Sequence, residues 1–298
     1  MADLADADRV TSSTLAELAG LSHEEMESVR NAWPGIELIR RREIVRRLVE
    51  LSEENVELDF DAIFRLCLKD PDSEIRCQAI EGLWENEETS LISRLLDMLS
   101  NDSSYQVQAA AANALGRFTL MAEKGTLPPR HLPHIQGELL HTLNDESRTD
   151  EVRRRALEAL APLSVPEVTS AIRDAYEAKN PRFRVSAICA MGKNCDPAWL
   201  PMLIAELSNE DAEMRFEAAA ALGELGEEDA VPHLTDLGGD PDAEVQRAVL
   251  ESLGKIGGRK AKEYLQSCLS SRNPAIRDTA RQALDELRAM DDPMSLQL

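Results

Sequence analysis

One segment pattern recurs seven times along this chain of 298 residues: an apolar anchor, usually followed by Arg, with Ala four positions on and Leu eight on. The anchors are Ile75, Val107, Val152, Phe183, Met214, Val245 and Ile276, spaced 32, 45, 31, 31, 31 and 31 residues apart. Ala79, Ala111, Ala156, Ala187, Ala218, Val249 and Ala280 fill the four-residue step. Leu83, Leu115, Leu160, Met191, Leu222, Leu253 and Leu284 fill the eight-residue step. At seven residues the side chain is always small: Gly82, Ala114, Ala159, Ala190, Ala221, Ser252 and Ala283. Offsets of 0, 4, 7 and 8 share one face of a 3.6-residue helix, and small side chains there let neighbouring backbones approach closely. A glycine commonly follows, as in Gly116, Gly192, Gly223 and Gly254, and is expected to end the helix.

A second apolar helix lies between successive anchors, as in SLISRLLDML (90–99), PAWLPMLIAEL (197–207) and AKEYLQSCL (261–269). One helical hairpin cannot bury its own apolar face, whereas stacked hairpins can. The expected fold is therefore all-α: an armadillo-like α-solenoid, or superhelix, of antiparallel hairpins whose second helices line a concave side. Seven repeats are regular. One period upstream of Ile75 lies Ile44, in a degenerate first repeat. Ser22 and Glu25 have capping-box spacing, with Leu21 and Met26 as a staple, so a capping helix is expected over 22–33. The organisation reads as a flexible N-terminus over 1–15, then a capping helix and degenerate repeat over 16–58. Regular repeats follow over 59–288, with an insertion at 119–133, and the C-terminus over 289–298 is flexible.

Charge limits the partners. The formal net charge is −22, and a polyanion of that size repels phosphate backbones and anionic membranes. No nucleic acid and no membrane is expected, and no stretch approaches about 18 uninterrupted apolar residues. Cys67, Cys77, Cys189, Cys195 and Cys268 are odd in number and lack CxxC spacing, so no disulfide framework or zinc ribbon is indicated. MADLADADRV is acidic without an apolar core, which argues against a secretory signal and for the cytoplasm.

The pattern D-x-x-x-V-R-x-x-A-x-x-A-L-G, clear in DPDSEIRCQAIEGL (70–83) and NEDAEMRFEAAAALGELG (209–226), resembles HEAT-like repeats of the PBS-lyase type over about residues 36–288. Such repeats serve scaffolds, adaptors, bilin lyases and a few metalloenzymes. The resemblance implies that Arg76, Arg153, Arg184, Arg215 and Arg277 pair with turn aspartates of an adjacent repeat, here Asp72, Asp150, Asp211 and Asp242. Metalloenzymes resembling deoxyhypusine hydroxylase carry several His-Glu dipeptides on their repeat helices. This chain has only His23-Glu24, outside the repeats.

Other chemistry is sparse. The 45-residue step exceeds its 31-residue neighbours by 14, which places a loop at TLMAEKGTLPPRHLP, Thr119–Pro133. Long loops are often functional. His134, Glu138 and His141 share one stripe of the following helix, with His131 nearby, a donor set that suits zinc or iron. A single ExxH unit lacks the second that di-iron helical sites need, so no metal and no cofactor is expected. There is no GxSxG and no phosphate-binding glycine loop.

Twelve acids between 209 and 244 face the single Arg215, while Arg40, Arg41, Arg42, Arg46 and Arg47 surround Glu43. That asymmetry suggests a basic protein partner steered to the acidic half, or self-association of opposite ends. Offsets 3, 6 and 10 give the groove-facing candidates: Glu81, Arg117, Arg155, Glu158, Lys193, Glu217, Glu224, Glu251 and Lys255. Trp84 is an aromatic at the groove edge, expected to pack against the next hairpin. The regular scaffold without reactive clusters points to a non-catalytic protein-binding scaffold or adaptor. The alternative is a bilin-lyase-like enzyme subunit or chaperone that holds a ligand in the groove.

Overall fold

The computed structural model describes residues 12–291, and every regular element among them is helical. The architecture is an α-solenoid of stacked hairpins. The expected flexible ends lie largely outside the described residues, although Ser12–Ala16 and the stretch through Asp291 are helical.

The chain divides into two compact units. Among the described residues, the first runs to residue 121 and resumes over 127–159, and the second comprises 122–126 and the stretch from 160 onward. The first carries α1 (Ser12–Ala16), α2 (His23–Ala32), α3 (Leu38–Glu54), α4 (Asp61–Cys67), α5 (Ser73–Gly82), α6 (Ile92–Asn101), α7 (Tyr105–Glu123), α8 (Leu132–Asn144) and α9 (Asp150–Leu160). The capping box forms as the spacing requires: Ser22 N–H donates to Glu25 Oε2 at 2.9 Å and Glu25 N–H to Ser22 Oγ at 3.4 Å. The anchors Ile75, Val107 and Val152 are wholly buried. The insertion is not all loop. Its first five residues extend α7, because Thr119 is buried and its hydroxyl donates to the carbonyls of Gly116 and Ala159.

The second unit carries α10 (Pro166–Tyr176), α11 (Pro181–Asn194), α12 (Leu200–Glu206), α13 (Ala212–Leu225), α14 (Val231–Leu237), α15 (Ala243–Ile256), α16 (Gly258–Cys268) and α17 (Pro274–Asp291). Here α11, α13, α15 and α17 stack in succession. The stack explains the glycines. Gly192, Gly223 and Gly254 lie inside their helices rather than ending them. Each rests on the small residue of the next repeat, Ala221, Ser252 and Ala283, so closely that a β-carbon would come within 2.5–2.9 Å of a neighbouring atom. In the first unit Gly116 faces Ala159 less tightly, with a β-carbon standing 3.3 Å from the Ala159 Cα. Helix ends are made elsewhere, by the left-handed Gly226 (φ 76°) and Cys195 (φ 53°).

The arginines pair, but with other acids than the resemblance implies. Arg76 forms a two-pronged contact with Asp102 and Arg215 with Asp240, while Arg184 reaches Glu206. Asp72, Asp211 and Asp242 instead cap α5, α13 and α15 with their side-chain oxygens, removing orphan N–H groups at about 1 kcal/mol each. Arg153 donates to the Leu143 carbonyl. Arg76, Arg215 and Arg277 also donate to a carbonyl six residues upstream, and Gln108 and Gln246 do the same, which is why glutamine can replace arginine there. The five-arginine cluster is largely neutralised: Arg41 meets Asp70, Arg42 meets Asp72 and Glu74, and Arg46 and Arg47 meet Glu43 and Glu50.

Candidate ligand cleft

In the first three of the 31-residue-spaced helices of the second unit, α11, α13 and α15, the position twelve past the anchor caps the helix. Glycine stands there twice, as Gly226 and Gly257, both with positive φ. In α11 that position is Cys195, among the described residues the one non-glycine with positive φ. Its N–H bonds the Gly192 carbonyl at 3.2 Å, which closes the helix. The chain then turns through Asp196, whose Oδ1 accepts from Ala198 N–H at 2.9 Å, into a short 3-10 turn at Pro197–Trp199.

Asn194 ties this turn down. It is buried, donates to the carbonyls of Ala161 (2.8 Å) and Leu163 (3.3 Å), and accepts from the Trp199 indole at 2.9 Å. The start of α10 faces it, with Pro166 in the first turn and no side-chain cap at Val165. Between them opens a cleft of about 660 Å³, lined by Ser164, Thr169, Ser170, Arg173, Cys195 and Asp196 among others. The Arg173 guanidinium stacks 5.0 Å from the centre of the buried Trp199 ring and, among the described residues, has no ion-pair partner. A cation held over an aromatic ring, with hydroxyls nearby, suits a carboxylate or phosphate. Burial, and then the neighbouring Glu224, push the Cys195 thiol above its ordinary range, so it rests protonated rather than as a nucleophile.

The groove candidates fare differently. Glu81 and Lys193 are exposed and Glu217 is half-buried. Glu224 and Lys255 meet at 2.6 Å, and Glu251 is held by Arg247 at 2.6 Å. Two expectations need correction. Glu158 is 5% exposed and paired with Arg155 at 2.7 Å, so it faces the packing rather than a groove. Arg117 is turned inward, where its Nη1 donates to the Leu83 and Trp84 carbonyls, and burial lowers its pKa to about 10. Trp84 does not pack against the next hairpin either, being 61% exposed.

Glu138 accepts from Ser100 at 2.7 Å while His134 and His141 stay exposed. No group of three or more His, Cys, Asp or Glu among the described residues is placed to hold a metal ion. No described helix is long and apolar enough to cross a membrane.

A family model for HEAT repeats matches residues 61–137, 177–242 and 200–285, and the chain belongs to that family. Among curated proteins it is 26% identical over 223 residues to deoxyhypusine hydroxylase of Candida albicans, covering 73% of this chain and 55% of that one. It is 34% identical over 124 residues to deoxyhypusine hydroxylase of Coccidioides immitis, covering 38% of this chain and 37% of that one. The chain thus spans about half the length, or less, of these relatives. Among solved structures, the complex of CpcE and CpcF of phycocyanin lyase from Nostoc sp. PCC7120 aligns with TM-score 0.57 at 15% identity. It covers 95% of this chain and 96% of that chain, and it shares the fold. Both curated relatives carry the name of an enzyme. That overturns the expectation of a non-catalytic scaffold, which rested on elimination. Elimination failed because a repeat solenoid needs no recognisable motif to host a site.

The cleft residues were missed because Arg173 and Cys195 are isolated in sequence. One signal was available: cysteine standing where the next two repeats have a glycine cap.

Proposed function

We propose that this chain is a HEAT-repeat enzyme or enzyme subunit that binds an anionic ligand in the cleft between α10 and the α11 turn. The observation that carries the reading is Arg173: a guanidinium without an acid partner, stacked on Trp199 at the wall of a cleft of about 660 Å³. The enzyme names of the curated relatives support it. The ligand class is a molecule with a carboxylate or phosphate and an extended apolar body, which includes the linear tetrapyrroles of bilin lyases. Arg173 anchors the acid group, Ser170 and Thr169 offer hydroxyls, and Asn194 keeps the wall in place. Since CpcE is solved in complex with CpcF, a protein partner belongs to this reading. Five free cysteines support a cytoplasmic setting.

Absorbance titration with biliverdin, a linear tetrapyrrole dicarboxylate, tests it. A saturable red shift at about one ligand per chain is expected, weakened about tenfold or more by Arg173→Ala. No spectral change, or an equal shift in the Arg173→Ala variant, overturns the assignment.

A further inference from the structure

A second surface lies in the first unit, around Trp84. In three of the later repeats the position nine past the anchor is a glycine packed against the next helix: Gly192, Gly223 and Gly254. In the repeat of Ile75 that position is Trp84. An indole has no room where even a β-carbon collides. Accordingly α5 stops at Gly82 after 10 residues, where α11, α13 and α15 each run for 14. The chain turns away and leaves Trp84 61% exposed.

This turn is tied down from beneath. Arg117 is drawn beneath it to donate to the Leu83 and Trp84 carbonyls, with Nε and Nη2 buried and without acceptors. The two donated hydrogen bonds tie the carbonyls of the turn to α7. Trp84 borders a shallow cleft of about 200 Å³ together with Val56, which is 81% exposed, and Asp59, Asp61, Glu85 and Asn86. Its floor is the edge-to-face pair Phe60 and Phe64, with ring centres 6.3 Å apart. Gly82 keeps that floor open, since a β-carbon there would collide with the Phe64 ring. Every charged residue on the cleft wall is an acid.

We propose that this cleft docks a basic peptide segment of a protein partner, with a lysine or arginine over the Trp84 indole and an aliphatic side chain against Val56. The charge selects the occupant. An anionic chain would meet Asp59, Asp61 and Glu85, whereas a cation gains those carboxylates and the ring face together. Exposed tryptophan at a fixed position is also the side chain that most often anchors an interface.

The test uses a fluorescein-labelled peptide, acetyl-Lys-Leu-Lys-Leu-Lys-amide, and its glutamate counterpart, followed by anisotropy against the full chain. The lysine peptide should bind saturably, Trp84→Ala should weaken it about five- to tenfold, and Glu85→Gln should weaken it less. Both substitutions are at exposed positions, so folding is retained. Intrinsic fluorescence gives a second readout, because Trp33 and Trp199 are buried and Trp84 alone of the three is exposed. The lysine peptide should protect it from acrylamide quenching. Equal affinity of wild type and Trp84→Ala, equal binding of the glutamate peptide, or no binding of the lysine peptide each overturns the proposal.

Discussion

Gly192 of α11 lies so close to Ala221 of α13 that a β-carbon on Gly192 would stand 2.7 Å from the Ala221 Cα. The obstructing atom is backbone, which relaxes only if the two helices part. The same contact recurs between Gly223 and Ser252 and between Gly254 and Ala283, so successive repeats are set at a fixed separation by absent side chains.

Substituting Gly192→Ala should therefore destabilise the chain by about 1–3 kcal/mol despite alanine's better helix propensity. Gly137 in α8 is the control, since a β-carbon there meets nothing within 4 Å. Gly137→Ala should stabilise by about 0.5–1 kcal/mol. Chemical denaturation midpoints measure both, and a stabilising Gly192→Ala would show that the helices are not in tight contact.

The Arg215–Asp240 pair makes stability depend on acid. The Arg215 hydrogen bonds hold the Asp240 carboxyl below its ordinary value, and the pair is largely buried. A lowered folded-state pKa contributes stability above the unfolded value, near pH 4, and that contribution is lost as pH falls through the folded value. Asp240→Asn should flatten the stability profile below about pH 4. An unchanged slope in acid unfolding would remove Asp240 from the account.

Cys195 holds a left-handed backbone that glycine adopts without strain. Cys195→Gly should be neutral or stabilising by up to about 1 kcal/mol, whereas Cys195→Val should destabilise because a β-branched residue strongly resists that conformation. Thermal unfolding of the two variants separates these outcomes.

Asn194 is the buried polar tie behind the ligand cleft. Asn194→Leu leaves the Ala161 and Leu163 carbonyls and the Trp199 indole N–H without their partner, which should cost about 3 kcal/mol or more. Arg173→Ala, at an exposed position, should leave stability nearly unchanged. Comparing the two in denaturant distinguishes the cleft's support from its ligand contact.

The sequence by itself determined the helices, their period and their buried faces, because offsets of 0, 4, 7 and 8 follow from the geometry of a single helix. It also determined the capping box at Ser22 and Glu25, whose partners lie three residues apart. Only the tertiary structure decided what meets what between repeats. Arg76 and Asp102 are 26 residues apart, and Arg117 lies 34 from Leu83. Which acid an arginine reaches, and which glycine is a spacer rather than a cap, depend on how one hairpin lies on the next. That offset is fixed by side-chain volume at the contact, as where Trp84 replaces a spacing glycine and shortens α5. The cleft at Arg173 arises from two elements tied together by the buried Asn194, and the cysteine in a glycine-cap position is the one trace of it in the sequence.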